Sequence, residues 1–292
     1  MTIKSGIRTG TNNIKAEAKK VVRKPTTSPL METLMRLGYV VRGVVYGVIG
    51  LLALLLATGR GGALTDTQGA IAVVGKMPFG KVLLFVILAG LVGYGLWGLI
   101  RAVVDPLHKG TDAKGIAERI GYAISGISYL LLGLATFRLM TGGASAAHSG
   151  AQTVQTQQTV GSLLAKPWGV WVIALVGLVI TGAGLLQVYQ GVGPHFKEQF
   201  KPYALSASQR KWIDRLGRFG IAARGLLFTM IGIFLVLAAY HHDPKRAQGI
   251  DGVLASLLHQ PYGPWLLGIV ALGLVAFGIY SILSGVWLRL QR

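Results

Sequence analysis

RLGYVVRGVVYGVIG (residues 36–50) recurs as RIGYAISGISYLLLG (119–133) and again as RFGIAARGLLFTMIG (218–232), and each copy opens a long apolar run. A passage repeated at this period decides the architecture, because each copy marks one supersecondary unit. Every copy continues through a polar connection to a proline, an aromatic residue and a glycine: Pro78-Phe79-Gly80, Pro167-Trp168-Gly169 and Pro261-Tyr262-Gly263. A second apolar run follows each time. The unit is therefore two membrane helices, present three times.

An apolar fraction of 52% with 13% charged residues excludes a soluble globular chain of 292 residues. The apolar runs cover 37–57, 82–104, 120–140, 169–189, 216–239 and 265–288, each close to the roughly 20 residues a bilayer requires. The fold class is all-α: a polytopic membrane protein with six transmembrane helices as three parallel two-helix repeats of pseudo-threefold character. The divisions are a basic tail (1–30), repeats at 31–107, 114–192 and 213–290, and an amphipathic linker at 193–212. Because each repeat holds an even number of spans, all copies run the same way through the membrane. The inverted repeats of many secondary transporters are thereby disfavoured.

The net charge of +19 follows topology. Alternate loops hold only Arg60, Lys76, Lys81, Lys166, Lys245 and Arg246. The other Lys and Arg outside the spans lie in the tail and after spans two, four and six. The positive-inside rule then places both termini in the cytoplasm. The first 30 residues lack the apolar core of a secretory signal, so no cleaved signal is expected. With no cysteine, the chain forms no disulfide and offers no thiolate to a metal.

Comparison of the repeats shows a stripe of small residues. Gly43, Gly47 and Gly50 align with Gly126, Leu130 and Gly133, and with Gly225, Thr229 and Gly232. These spacings share one helical face, where missing side chains let a neighbouring backbone approach. Helix packing is the expected role, with a backbone-lined cavity as the other reading. The connections TQGAIAVVGKMPFG, TQQTVGSLLAKPWG and IDGVLASLLHQPYG read as short interfacial helices, with Phe79, Trp168 and Tyr262 in the outer aromatic belt. The middle connection, 142–159, is longer and nearly uncharged, and is expected to be mobile or bound to a partner. Glu32 and Arg36, like Asp214 and Arg218, are acid-to-arginine pairs four residues apart, worth ~0.2–0.5 kcal/mol each on a helix surface.

Arg42 and its repeat partner Arg224 lie inside spans one and five, where the middle repeat has Ser125. Intramembrane arginine is a functional candidate by default. Two readings stand. The guanidinium groups snorkel to the inner headgroups or pair with carbonyls, or they hold a phosphate, a lipid headgroup or another anion. Tyr46 and Phe228 follow the arginines by four residues and offer cation–π faces. The candidate anion or headgroup site is Arg42, Arg224, Ser125 and Tyr46.

No Asp or Glu falls inside an apolar run, which disfavours a proton relay and cation selectivity. The six histidines, His108, His148, His195, His241, His242 and His259, all fall in connections, so haem is not expected. His241, His242 and Asp243 read as a polar helix end rather than a metal site. There is no nucleophile with a base, and Gly59-Arg60-Gly61-Gly62 lacks the Walker lysine. No catalytic residue, metal or cofactor is expected, and the protein is not expected to be an enzyme. The tail residues Lys15, Lys19, Lys20, Arg23 and Lys24 find their nearest partner in anionic headgroups at the cytoplasmic face rather than in nucleic acid. The segment from His195 to Asp214, with Phe196, Phe200, Tyr203 and Trp212 among Lys197, Lys201, Arg210 and Lys211, suits the same surface.

The repeated R-x-G-Y-x-x-x-G-x-x-Y passage, the TDTQGA stretch (65–70) and the Pro-aromatic-Gly step resemble a bacterial membrane family known as domain of unknown function 1206. The resemblance covers about 34–288 and implies paired membrane helices occurring three times, with no activity attached. The first repeat fits best. The second lacks both the arginine and the acidic loop residue, which argues against a site drawing equally on all three. The expected function is that of a non-catalytic structural or accessory component that binds lipid or a membrane partner complex. The alternative is a passive channel or carrier for a small neutral or anionic solute.

Overall fold

The computed structural model describes residues 29–104, 112–142, 151–193 and 207–287. The basic tail, most of the 193–212 linker and residues 143–150 of the middle connection lie outside these, as do His108, His148, His195 and the Glu32 side chain. The described elements are α1 (Pro29–Ala57), α2 (Thr67–Gly75), α3 (Gly80–Val104), α4 (Ala113–Met140), α5 (Ala151–Leu164), α6 (Gly169–Val192), α7 (Ala207–Tyr240), a 3-10 turn (Pro244–Arg246), α8 (Ile250–Leu258) and α9 (Gly263–Trp287). Six of them, α1, α3, α4, α6, α7 and α9, are long and apolar enough to span a bilayer. The short helices α2, α5 and α8 sit in the connections within the repeats. That side of the bundle is called the connection face here, and the side where α1 begins and α9 ends the terminal face.

The tightest pairs do not form within hairpins. They are α3 with α4, α6 with α7, and α9 with α1. Each joins the second span of one repeat to the first span of the next, and the last pair closes the ring. Glycine makes these contacts possible. A Cβ added to Gly43 would stand 2.6 Å from the Gly278 carbonyl oxygen, one on Gly50 2.7 Å from that of Ala271, and one on Gly98 2.8 Å from the Gly126 Cα. On the third pair, a Cβ on Gly225 would stand 2.8 Å from the Gly184 carbonyl, and one on Gly232 2.6 Å from that of Gly177. Without a hydrophobic drive between helices in lipid, such close packing supplies much of the association. Gly47 has open space in front of it, and Gly133 meets only side chains at 3.5–3.7 Å.

The first arginine of the repeated motif ties two of these pairs together. Arg119 donates from Nε to the Ala102 carbonyl (2.8 Å) and from Nη2 to that of Val103 (3.1 Å), at the C-terminal end of α3. Arg218 does likewise at the end of α6, reaching Gly191 and Val192 at 3.2 Å each. A cation there satisfies unpaired carbonyls and opposes the negative end of the helix dipole. Arg218 also pairs with Asp214 at 3.9 Å.

The pseudo-threefold ring is uneven. Spans pack within repeats one and three, α1 on α3 and α7 on α9, whereas α4 and α6 barely touch among the described residues. Helix α5, with 14 residues against nine in each of α2 and α8, crosses that side of the connection face and touches α2, α6, α8 and the 3-10 turn. From residue 151 onward, therefore, the middle connection is an ordered helix rather than the loose segment its composition suggests. Several of its polar side chains are paired. Thr156 and Thr159 donate to carbonyls one turn back (2.7 and 2.9 Å), and Gln157 reaches the carbonyls of Lys245 and Ala247 (3.1 and 3.2 Å).

The Pro-aromatic-Gly step closes with the same backbone hydrogen bond in all three repeats. Gly80, Gly169 and Gly263 donate to the carbonyls of Met77, Lys166 and Gln260 at 2.8–2.9 Å. A Cβ on any of them would collide with the carbonyl of Gly75, Leu163 or Leu258. Phe79 and Tyr262 take left-handed φ values of 61° and 63°, and their side chains, like that of Trp168, project outward.

Candidate functional site: an arginine–aromatic box

The interior divides by depth. Towards the connection face it is filled by Ile49, Leu254, Leu267 and Leu274, each 0% exposed, with Ile71 and Val253 beside them. Towards the terminal face the same helices turn polar and aromatic side chains inward. Arg42 enters from α1, about 9 Å along the axis from Arg36, and Arg224 from α7. Both guanidinium groups lie on aromatic faces inside the bundle.

Phe277 of α9 stands between the two cations, with the Arg42 guanidinium 4.7 Å and the Arg224 guanidinium 5.1 Å from its ring centre. Arg224 also covers Phe228 at 4.5 Å and Tyr46 at 5.6 Å. It donates from Nη1 to Gln187 Oε1 of α6 (3.0 Å) and from Nε to the Tyr46 hydroxyl of α1 (3.3 Å). Tyr46 packs edge-on to Phe277 at 5.1 Å, and Tyr94 of α3 packs on Tyr129 of α4 at 4.7 Å. The Tyr129, Tyr46, Tyr94 and Tyr39 hydroxyls lie within electrostatic reach of Arg42. All six spans thus contribute a side chain to one box.

Electrostatically the box is one-signed. The Arg42 charge acts on Arg224, whose acceptors are the Tyr46 hydroxyl and Gln187 Oε1. Arg42 Nε is buried with no acceptor. Among the described residues no carboxylate pairs with either cation. Cation–π contact offsets part of the desolvation, ~0.5–2 kcal/mol each, against several kcal/mol for each buried ion. An anion entering the box would meet donors already in place.

Of the residues singled out in the sequence, Arg42, Arg224 and Tyr46 come together and Ser125 does not. Ser125 is exposed, because the spans of repeat two do not close on each other and its position stays open. Repeat two supplies Tyr129 and Gln187 instead. Tyr129 was visible as the repeat equivalent of Tyr46 and Phe228. Tyr94 and Phe277 directly precede the matching Gly95 and Gly278, and Gln187 is an uncharged polar residue in an apolar run. Arg138, His241 and His242 are exposed, and Asp243 accepts from the Lys245 N–H (3.0 Å) and pairs with Arg246 at 3.6 Å.

A second buried polar cluster lies under the connection face. Asp66, 0% exposed, caps α2 by accepting from the Gly69 N–H at 2.7 Å and also accepts from the Gln152 N–H at the start of α5 (2.7 Å). Asp251 Oδ1 accepts from the Thr153 hydroxyl at 2.7 Å, and that hydroxyl oxygen accepts from the Gly249 N–H at 2.8 Å. Burial raises the Asp66 carboxyl above its ordinary pKa, the Gly69 and Gln152 N–H groups oppose this, and the Asp251 charge adds to the rise. The cluster joins helix ends of all three repeats and reads as structural.

Six apolar spans in three repeats, packed by glycine around an interior arginine box, define a multi-pass α-helical membrane protein. The chain belongs to the Domain of Unknown Function (DUF1206) family, whose sequence profile matches residues 37–105, 120–193 and 219–288, one segment per repeat. It is 34% identical over 264 residues to "Uncharacterized protein YxxB" of Bacillus subtilis (strain 168), covering 90% of this chain and 94% of that protein. No solved structure matches.

Proposed function

We propose that the protein is a non-catalytic component of the bacterial cytoplasmic membrane, with both termini cytoplasmic, that binds an anionic group between Arg42 and Arg224. The observation that carries this reading is the pair of inward guanidinium groups, without a carboxylate partner among the described residues, framed by aromatic rings from five helices and by Gln187 of the sixth. The ligand chemistry is a phosphate or comparable oxyanion, such as a lipid headgroup, recognised by charge-assisted hydrogen bonds. The basic tail adds attraction to the anionic leaflet. An accessory role follows from a bundle that stores such a ligand while its connection half is closed by an apolar core.

The inward aim of both arginines also favours the second reading, a passive carrier for an anionic solute. Passage would require the Ile49–Leu254–Leu274 region to open. Two measurements test the site and separate the readings. The protein is purified gently from its native membrane as wild type and as Arg42→Gln/Arg224→Gln, and bound lipids and anions are identified by mass spectrometry. An anionic species lost from the double variant supports the site, and equal retention by both proteins refutes it. Arginine-dependent anion flux in proteoliposomes would move the conclusion to the carrier.

A further inference from the structure

The terminal end of α3 carries another arginine that the central box does not use. The Arg101 guanidinium lies 4.5 Å from the ring centre of Tyr122 on α4, 5.4 Å from that of Trp97 and 5.8 Å from that of Tyr94. The carbonyls at this helix end, those of Ala102 and Val103, are already taken by Arg119. Two donors in the cluster are buried without an acceptor, Arg101 Nε and Trp97 Nε1, and the Trp97 side chain is 5% exposed. An unpaired buried donor is costly, more so when charged, and one acceptor-rich anion would satisfy both.

The setting is rigid and borders lipid. Next to Trp97, Gly98 brings α3 against α4 so closely that a Cβ there would stand 3.0 Å from the Tyr122 carbonyl oxygen. The helix turns on either side expose Ile100, Val103 and Val104 on α3 and Ile120 and Ile124 on α4. A planar guanidinium matches phosphate geometry, and a tryptophan near a helix end suits the interfacial layer.

We infer that Arg101 and Trp97 form a second anion site, adjoining the central box at Tyr94, that holds a phosphate group at the α3–α4 junction. The surrounding apolar surface makes the phosphate of an anionic phospholipid the favoured source.

The test uses the full chain in neutral detergent micelles doped with phosphatidylglycerol or phosphatidylcholine, with bound lipid counted by native mass spectrometry. Inorganic phosphate is titrated separately by calorimetry. Wild type should retain a phosphatidylglycerol but not a phosphatidylcholine. Arg101→Gln should weaken that binding about tenfold or more and Trp97→Phe, which keeps a ring and removes the N–H, severalfold. Arg42→Gln/Arg224→Gln should leave it in place. Binding of inorganic phosphate with the same dependence on Arg101 and Trp97, and no preference between the lipids, would keep the phosphate site and identify its source as soluble. Unchanged binding in Arg101→Gln and Trp97→Phe, each with the melting temperature of wild type, would overturn the site. Lipid loss confined to the Arg42→Gln/Arg224→Gln protein would overturn it too, assigning the lipid to the central box. If Arg101→Gln does not fold, Trp97→Phe decides.

Discussion

Asp66 Oδ2 accepts the backbone N–H of Gln152 at 2.7 Å, bridging 86 residues of chain. Its other oxygen caps α2 through Gly69, so one fully buried carboxylate closes the N-terminal ends of two helices from different repeats. Helix starts leave N–H groups without intrahelical partners, and the first turn favours negative charge. The connection face is thus tied across repeats by a side chain rather than by the backbone.

Replacing Asp66 with alanine leaves both N–H groups unpaired in a buried setting. Asp66→Ala is expected to destabilise the protein by about 2–4 kcal/mol, from two caps of the usual size. Asp66→Asn, which keeps one acceptor oxygen, should fall between it and wild type. Thermal unfolding in detergent measures this, and an Asp66→Ala midpoint equal to wild type would remove the bridging role.

The raised Asp66 pKa has a definite sign in stability. The folded protein holds the Asp66 proton more tightly than the unfolded chain, whose carboxyl titrates near about 4. The contribution of Asp66 is therefore largest below that value and is lost as pH rises through the folded pKa. Melting temperatures of wild type and Asp66→Asn, compared from pH 4 upward, should diverge, with wild type losing more as pH increases. Parallel curves would count against the raised value.

Two glycines one turn apart on α1 should respond oppositely. Gly43→Ala places a Cβ 2.6 Å from the Gly278 carbonyl oxygen and must push α9 away, whereas Gly47→Ala meets open space. Gly43→Ala is expected to lower the unfolding midpoint by several degrees. Gly47→Ala should be neutral or raise stability by up to about 1 kcal/mol through helix propensity. Equal effects from the two would refute the α1–α9 register.

Much of the site was legible because tandem repeats supply their own comparison. Arg42 and Arg224 stood out as charges in apolar runs, and Tyr46 lies one turn further along the same face. Gln187 and Phe277 were not legible as partners, because they lie 37 residues before Arg224 and on a different span, respectively. Ser125 misled for a related reason: alignment gives the position of a residue on its own helix, but its exposure depends on whether a second helix closes over it.

Hydropathy and repetition in the sequence alone determined six spans, three parallel copies and the small residues available for contact, because desolvation of the backbone and the length of a helix turn are local constraints. Only the tertiary structure decided that each second span packs on the first span of the next repeat, that repeat two stands open, and that two arginines share the ring of Phe277. Those outcomes depend on which glycine faces meet across the bundle. They are relations between distant segments, which no stretch of sequence carries by itself.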